Sequence, residues 1–369
     1  LGKRDTVKFR CERDVLVDAL TLAGRASTTR AALPVLSGLR LELQGDLLKV
    51  TGSDLDLTIT TELAVAGAGD GVCVLPAKLV VDITRSFAAG AVEFDATGER
   101  PRLAEGRSEF FLNAIAADEY PMPAAPVGES VTLQSAHLAE GLRQVVKAAS
   151  ADESRPILTG VLMAAEEDGL RLVSTDSYRL AVRDLPGTAV LREGQQVLVP
   201  SRALNEVARA LGEDSEVTLV LGERDVTFEV GTLRLSTRLI EGEFPNYRGL
   251  IPQAQANRLI IERSALAEAV RRVKLMARET SPVRLSMQPD LLELRAITQD
   301  VGEAVVELDA KYEGTPITVA FNPEYLLDGL EVTMGDEVTI ETLDALKPAV
   351  LRSIDSSDFL YLLMPVRVS

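Results

Sequence analysis

Along most of this chain apolar and polar residues alternate in short runs, and at six places the period lengthens to that of a helix. Residues 6–10 alternate as a strand, and residues 13–26 then set Val15, Leu16, Ala19, Leu20 and Leu22 on a helical stripe. Strands are expected at 39–43, 47–50 and 57–63, a helix at 77–87 with Leu79, Val80 and Ile83 inward, and strands at 92–94 and 110–115. Tyr120-Pro-Met-Pro-Ala-Ala-Pro126 reads as a stiff linker. The plan then restarts with a strand at 131–133, Ser135 as N-cap and a helix at 136–148. Strands follow at 158–164, 171–175 and 180–182, then a helix at 201–211 stopped by Gly212, then strands at 217–221, 226–230 and 233–239. A third round has a strand at 258–261, a helix at 263–278, further strands and a short helix at 323–330.

The rounds share landmarks. Val72-Cys-Val-Leu-Pro-Ala-Lys-Leu79, Val197-Leu-Val-Pro-Ser-Arg-Ala-Leu204 and Ile317-Thr-Val-Ala-Phe-Asn-Pro-Glu-Tyr-Leu326 each run from a β-branched stretch through a proline into a helix, where proline suits the first turn. Pro76, Pro200 and Pro323 are 124 and 123 residues apart. Leu33-Pro-Val-Leu-Ser-Gly38 recurs as Arg155-Pro-Ile-Leu-Thr-Gly160, and Gly52-Ser-Asp-Leu55 as Ser174-Thr-Asp-Ser177. Glu119-Tyr-Pro121 recurs as Glu243-Phe-Pro245. Landmarks on one step the size of a whole domain indicate internal triplication. Strands with two helices per round give an α+β class with three tandem domains, expected at 1–126, 127–253 and 254–369.

Composition narrows the chemistry. At 369 residues, 46% hydrophobic and 26% charged, the chain is large enough for two or three cores. No window approaches the ~18 uncharged apolar residues of a membrane span, and residues 1–6 carry charge without an apolar signal region. Cys11 and Cys73 read as small buried hydrophobes and suit a reducing cytoplasm. The single histidine, His137, has no partner at zinc spacing, so a surface or capping role is expected. Gly67-Ala-Gly-Asp-Gly71 precedes a strand where a phosphate cradle needs a helix, and reads as a loop. Asp54 and Asp56 could share a face and hold a metal, but a turn before an edge strand is favoured. No catalytic, cofactor or metal constellation is expected.

The net charge of −17 alone argues against nucleic acid. Yet the six expected helices together are slightly basic, so the acidic excess lies in strands and loops. Arg271, Lys274 and Arg278 fall on one helical stripe, as do Arg202 with Arg209 and Arg143 with Lys147. Solvated helix faces explain such stripes, and so does a shared surface facing phosphates. Screening over ~8 Å would keep acids on the far side of a helix from cancelling it. The acidic helix at 323–331 runs against that second reading.

Arg155-Pro-Ile-Leu-Thr-Gly160, Thr175-Asp-Ser-Tyr-Arg-Leu-Ala181, Glu243-Phe-Pro-Asn-Tyr-Arg248, Ala320-Phe-Asn-Pro-Glu-Tyr-Leu326 and Tyr361-Leu-Leu-Met-Pro-Val-Arg367 together resemble the bacterial sliding clamp family, the beta subunit of DNA polymerase III. The resemblance covers essentially the whole chain. It implies a non-catalytic head-to-tail homodimeric ring around double-stranded DNA, in the cytoplasm at the nucleoid, with no cofactor and no membrane. Helices would line the hole, with Arg30, Arg143, Lys147, Arg202 and Arg209 facing DNA. Phe110 and Leu112 would meet the partner's Leu275 and Met276, although the residues alone equally allow intrachain core for all four. The replicative polymerase alpha subunit, the clamp loader and repair polymerases would dock a peptide between the second and third domains. That groove would be lined by Arg155, Leu158, Thr175, Tyr178, Arg179, Leu180, Pro245, Leu250, Asn322, Tyr325, Leu362 and Met364, with Tyr178 where relatives often carry histidine. Two rival readings are a hydrolytic or metal-dependent enzyme built on repeated α+β domains, and a clamp paralogue that acts as a decoy or drug-resistance copy with exchanged partners.

Overall fold

The computed structural model describes residues 7–28, 33–122, 126–212, 216–252, 255–277 and 281–367. Arg30 and Arg278 lie outside the described residues. The chain divides into two compact units, one built from residues 1–135 and 210–239, the other from 136–209 and 240–369. These divisions do not follow the sequence repeat, because each large sheet takes strands from two neighbouring repeats.

In the first unit an eight-stranded antiparallel sheet runs Glu129–Gln134, Glu216–Leu221, Asp225–Val230, Leu233–Arg238, Leu57–Ala64, Leu47–Ser53, Gly38–Gln44, Gly71–Pro76. The seam between repeats is the pairing of Leu233–Arg238 with Leu57–Ala64. Leu57–Ala64 is therefore an interior strand, not the edge strand expected after Asp54 and Asp56. A five-stranded sheet holds Ala66–Gly69, Lys8–Glu12, Ala91–Asp95, Arg102–Glu105 and Ser108–Phe111 in that order. Ala66–Gly69 is part of the glycine cluster expected to be a loop. It forms a strand because Gly67, lacking a Cβ, can pass against the Gly45 carbonyl.

Helix α1 (Arg13–Gly24) packs on α2 (Ala77–Ser86) and on the strands Leu47–Ser53 and Leu57–Ala64. Leu16, Ala19, Leu20 and Ala23 form the buried stripe of α1, whereas Val15 and Leu79, expected inward, are exposed. Gly52 lets α1 close onto the sheet, since a Cβ there would overlap the Ala23 carbonyl oxygen. Tyr120 opens the supposed linker but is buried with Val35, Leu36 and Val74, its hydroxyl donating to the Thr51 carbonyl at 3.2 Å. Burial pushes its pKa up to about 12.

In the second unit a nine-stranded sheet runs Gln196–Pro200, Gly160–Glu166, Gly169–Thr175, Arg179–Pro186, Phe359–Leu363, Ala349–Ser353, Glu337–Thr342, Asn257–Glu262, Lys311–Glu313. Its seam is the pairing of Arg179–Pro186 with Phe359–Leu363. A four-stranded sheet orders Gly302–Asp309, Leu291–Thr298, Val283–Gln288 and Ile317–Phe321. Helices α3 (Ser135–Val146), α4 (Ser201–Ala210), α5 (Arg263–Lys274) and α6 (Pro323–Val332) start within a residue of expectation, and α5 and α6 pack on each other. Ser135 sits in the first turn, and its hydroxyl donates to the Gly212 carbonyl at 2.5 Å. His137 is exposed on α3. The strand expected at 158–164 begins at Gly160, after a 3-10 turn at Pro156–Thr159, as proline at a first turn favours. The strand expected at 110–115 ends at Phe111, after which Leu112 turns into the core.

The triplication leaves a mark in the backbone. Leu55 and Ser177, 122 residues apart, both take left-handed φ, 83° and 82°. In each turn the preceding aspartate compensates the strain. The Asp54 carboxylate accepts from the Asp56 and Leu57 N–H groups, and Asp176 from those of Tyr178 and Arg179.

Candidate functional site

The candidate groove residues all belong to the second unit and centre on the turn between Gly169–Thr175 and Arg179–Pro186. The Thr175 hydroxyl donates to the Arg179 carbonyl at 2.6 Å and accepts from the Ser177 N–H at 3.1 Å, locking the turn. Asp176 and Ser177 are thus spent on shape, and Tyr178 at the tip is 59% exposed. Its ring stacks on Tyr325 with centroids 6.4 Å apart.

Arg179 ties the central repeat to the third. It is only 9% exposed, with Nε on Asp176 at 3.0 Å and Nη1 on Asp328 of α6 at 2.5 Å and on the Tyr361 hydroxyl at 3.2 Å. Its guanidinium also lies 4.4 Å from the Tyr325 ring centroid, close enough for cation–π attraction. Burial works against the charge, but the Tyr361 oxygen and the Asp328 and Asp176 carboxylates outweigh it and hold its pKa above the usual arginine range. Burial raises the pKa of Tyr361 as well. The Tyr361 hydroxyl in turn donates to the Tyr325 carbonyl at 3.0 Å.

Leu180 lies directly opposite Leu362 across the seam, and both are fully buried. They belong to one apolar cluster with Leu162, Val182, Val350 and Leu360. Phe244, Tyr247 and Ile251 pack on it, which brings the exposed Pro245 and Leu250 of the same segment alongside. Ile157 also packs on the cluster, one residue before the buried Leu158. The Met364 N–H donates to the Tyr178 carbonyl at 2.9 Å, so the chain end continues along the turn with Met364 exposed. Arg155 reaches Ser177 at 3.3 Å through Nη1 and Asp152 at 2.9 Å through Nε. Asn322 caps α6, accepting from the Glu324 and Tyr325 N–H groups at 2.8 and 3.4 Å, which gives it a structural task besides any in the groove.

The structure adds Asp328, Tyr361, Phe244 and Tyr247 to these residues. Phe244, Tyr247 and Tyr361 sat inside motifs already singled out. Asp328 had no sequence signal, because its partner Arg179 is 149 residues away.

The basic helix residues are mostly engaged. Lys147 meets Glu331 at 2.7 Å and Asp328 at 3.5 Å, Arg271 meets Glu331 at 3.3 Å, and Lys274 meets Glu324 at 2.5 Å. Burial opposes the Lys147 charge, but its acidic partners outweigh it and raise its pKa, while Lys147 lowers that of Glu331. Arg209 pairs with Glu206 at 2.9 Å. Arg143 and Arg202 are exposed on α3 and α4. The acids of α6, which counted against a phosphate-facing surface, are thus the counter-charges of its basic neighbours.

Of the four expected interface residues, Phe110 lies on Ser108–Phe111, an edge strand exposed along its length, with its ring edge-on to Phe87 at 5.5 Å. Leu112, at 3% exposure, packs in the core, whereas Phe111 is exposed like Phe110. Leu275, just past α5, is 83% exposed, and Met276 beside it is half-buried.

Among the described residues no group of three or more His, Cys, Asp or Glu side chains could hold a metal ion. No described helix is long and apolar enough to cross a membrane.

Three family models match in tandem: the N-terminal domain of the DNA polymerase III beta subunit over residues 7–124, the central domain over 132–246 and the C-terminal domain over 248–367. The beta sliding clamp of Streptomyces coelicolor is 35% identical, covering 98% of this chain and 100% of its own. That of Bacillus subtilis is 30% identical over the same shares. Among solved structures, the Bacillus subtilis sliding clamp superposes with a TM-score of 0.88 at 29% identity, covering 99% of this chain and 100% of its own. The Bartonella birtlesii clamp bound to griselimycin superposes with a TM-score of 0.89 at 28% identity, covering 98% and 100%. With three clamp domains in tandem and relatives matched along their whole length, this chain belongs to the beta sliding clamp family, the beta subunit of DNA polymerase III.

Proposed function

We propose that two copies of this chain close head to tail into a ring that encircles duplex DNA, slides without reading sequence, and tethers the replicative polymerase and other factors through the groove at the seam of the second unit. The observation that carries the ring is a pair of unpartnered apolar edges. Ser108–Phe111 ends one sheet with Phe110 and Phe111 exposed, and Gly302–Asp309 ends another with exposed Val305, Leu275 also lying bare in that unit. Bare sheet edges offer unpaired N–H and C=O groups to another chain, and a heterologous contact whose rotation closes makes a ring. Domains of about 1–126, 127–253 and 254–369 are the units of that ring.

Retention is topological, so the ring needs no strong phosphate grip. The ion pairs that Lys147, Arg271 and Lys274 make with the acids of α6 suit this, since each engaged cation binds phosphate less tightly. Arg143 and Arg202 make sequence-independent contacts that steer and do not anchor. The chain is a non-catalytic subunit acting in the cytoplasm at the nucleoid, and tethering raises the local concentration of its partners. Leu180 and Leu362, fully buried at the seam, back the groove from beneath, with Leu250, Met364 and Tyr178 exposed along it, an apolar slot with few polar groups. Relatives from Pseudomonas aeruginosa and Bartonella birtlesii hold griselimycin, and the same ligand should take this groove.

The test is to load the protein with its clamp loader on circular and on linear DNA. A ring stays on the circle and is lost through free ends; equal retention on both would overturn the reading. Met364→Asp with Leu250→Asp, both at exposed side chains, should abolish griselimycin binding while leaving the dimer intact.

A further inference from the structure

The seam of the second unit has a counterpart in the first. Leu180 pairs with Leu362 in the one, and Thr58 with Ser236 in the other. Beyond each pair, one more hydrogen bond continues the register: the Met364 N–H to the Tyr178 carbonyl at 2.9 Å, and the Arg238 N–H to the Asp56 carbonyl at 3.1 Å. Each seam is entered from an aspartate-capped turn with the same left-handed residue, Ser177 or Leu55. Position for position, Thr58 stands for Leu180, Ser236 for Leu362, Arg238 for Met364 and Asp56 for Tyr178.

Those four residues of the first unit line an open cleft of about 290 Å³, with Leu55 and Met122 also at its wall. The build is shared but the chemistry is not. The floor hydroxyls are satisfied by one another, Ser53 with Thr58 at 2.7 Å and Thr227 with Ser236 at 2.8 Å. An apolar side chain laid there would meet polar groups and strip water from Arg238, Asp56 and Asp225, which is costly for charges.

We infer that the first unit carries a second groove of the same build, and that Thr58, Ser236 and Arg238 close it to the apolar ligand taken at the second unit's seam, so that each chain offers one docking site. The inference rests on the groove reading above. Loss of even one apolar contact weakens binding by about tenfold or more, so Arg238 in place of the exposed Met364, over a seam that Thr58 and Ser236 make polar, suffices to silence a groove.

Calorimetric titration of griselimycin into the full chain reads the stoichiometry directly. The wild type should bind one per chain, and T58L/S236L/R238M two per chain. One per chain in the folded variant, or two in the wild type, overturns the inference. Because leucines at a packed seam can compromise folding, the near-isosteric T58V/R238M is the second arm and must gain a weaker second site; a single site there also overturns it. Conversely, importing the first unit's side chain as Met364→Arg should weaken binding at least tenfold, and unchanged affinity counts against the inference. No binding by the wild type is a different failure, since it removes the groove reading itself.

Discussion

At the scale of single residues, Arg179 shows how one side chain can couple distant parts of a chain. Its donors are divided among Asp176, Asp328 and Tyr361. Arg179→Ala leaves two carboxylates facing a buried phenol, so urea unfolding should show a loss of about 1.5–3 kcal/mol, the worth of a hydrogen bond to a charged group. Arg179→Lys should rescue little, because an ammonium cannot span the fork. Asp95 gives a pH signature in the first unit. Lys8 at 2.8 Å and Thr97 at 2.6 Å lower its pKa to about 2. A carboxylate whose folded pKa lies below the unfolded ~3.9 stabilises the fold above that value. The contribution is lost as pH falls from about 4 to about 2. Lys8→Ala should therefore raise the Asp95 pKa in an NMR titration and move the acid limb of unfolding to higher pH.

At the scale of elements, α6 is seated by the absence of a side chain. A Cβ on Gly329 would come within 2.5 and 2.6 Å of the Tyr361 ring, a separation that forces the helix or the ring to move. Gly329→Ala gains helix propensity of about 1 kcal/mol, but overpacking against a fixed ring costs about 1–3 kcal/mol. The net expectation is a lower unfolding temperature, with weaker griselimycin binding because Tyr361 and Asp328 hold Arg179; an unchanged affinity would detach α6 from the groove. The helices were legible at this scale because their apolar stripes and prolines are local. The start of the strand at Gly160 is not legible in the sequence, since Ile157 and Leu158 continue an apolar run whatever the backbone does. Ala66–Gly69 was missed because its glycines are selected by the nearby Gly45 carbonyl, a tertiary contact.

At the scale of the whole molecule, bulk charge does not by itself decide whether a phosphate can be met. The −17 describes the chain, whereas a phosphate meets individual helix faces within a screening length. Arg143→Ala with Arg202→Ala should slow loading and flatten the salt dependence of DNA association, with little loss of retention on closed circles; rapid loss from circles would mean grip and not closure. Leu275→Asp should give a monomer in sedimentation velocity that keeps the wild-type circular dichroism, because so exposed a side chain supports nothing within its own chain.

The sequence by itself determined the triplication, the α+β class, the placement of the helices and the motifs that carry the family, because these depend on periodicity, proline and glycine chemistry and spacing. Only the tertiary structure decided that the sheets run across the repeats, that Leu112 turns inward beside an exposed Phe111, that α6 neutralises its basic neighbours, and that one seam is apolar where its twin is polar. Each of these is a choice of partner between residues far apart in the chain, and a local pattern holds no information about which distant strand or charge will be there to meet it.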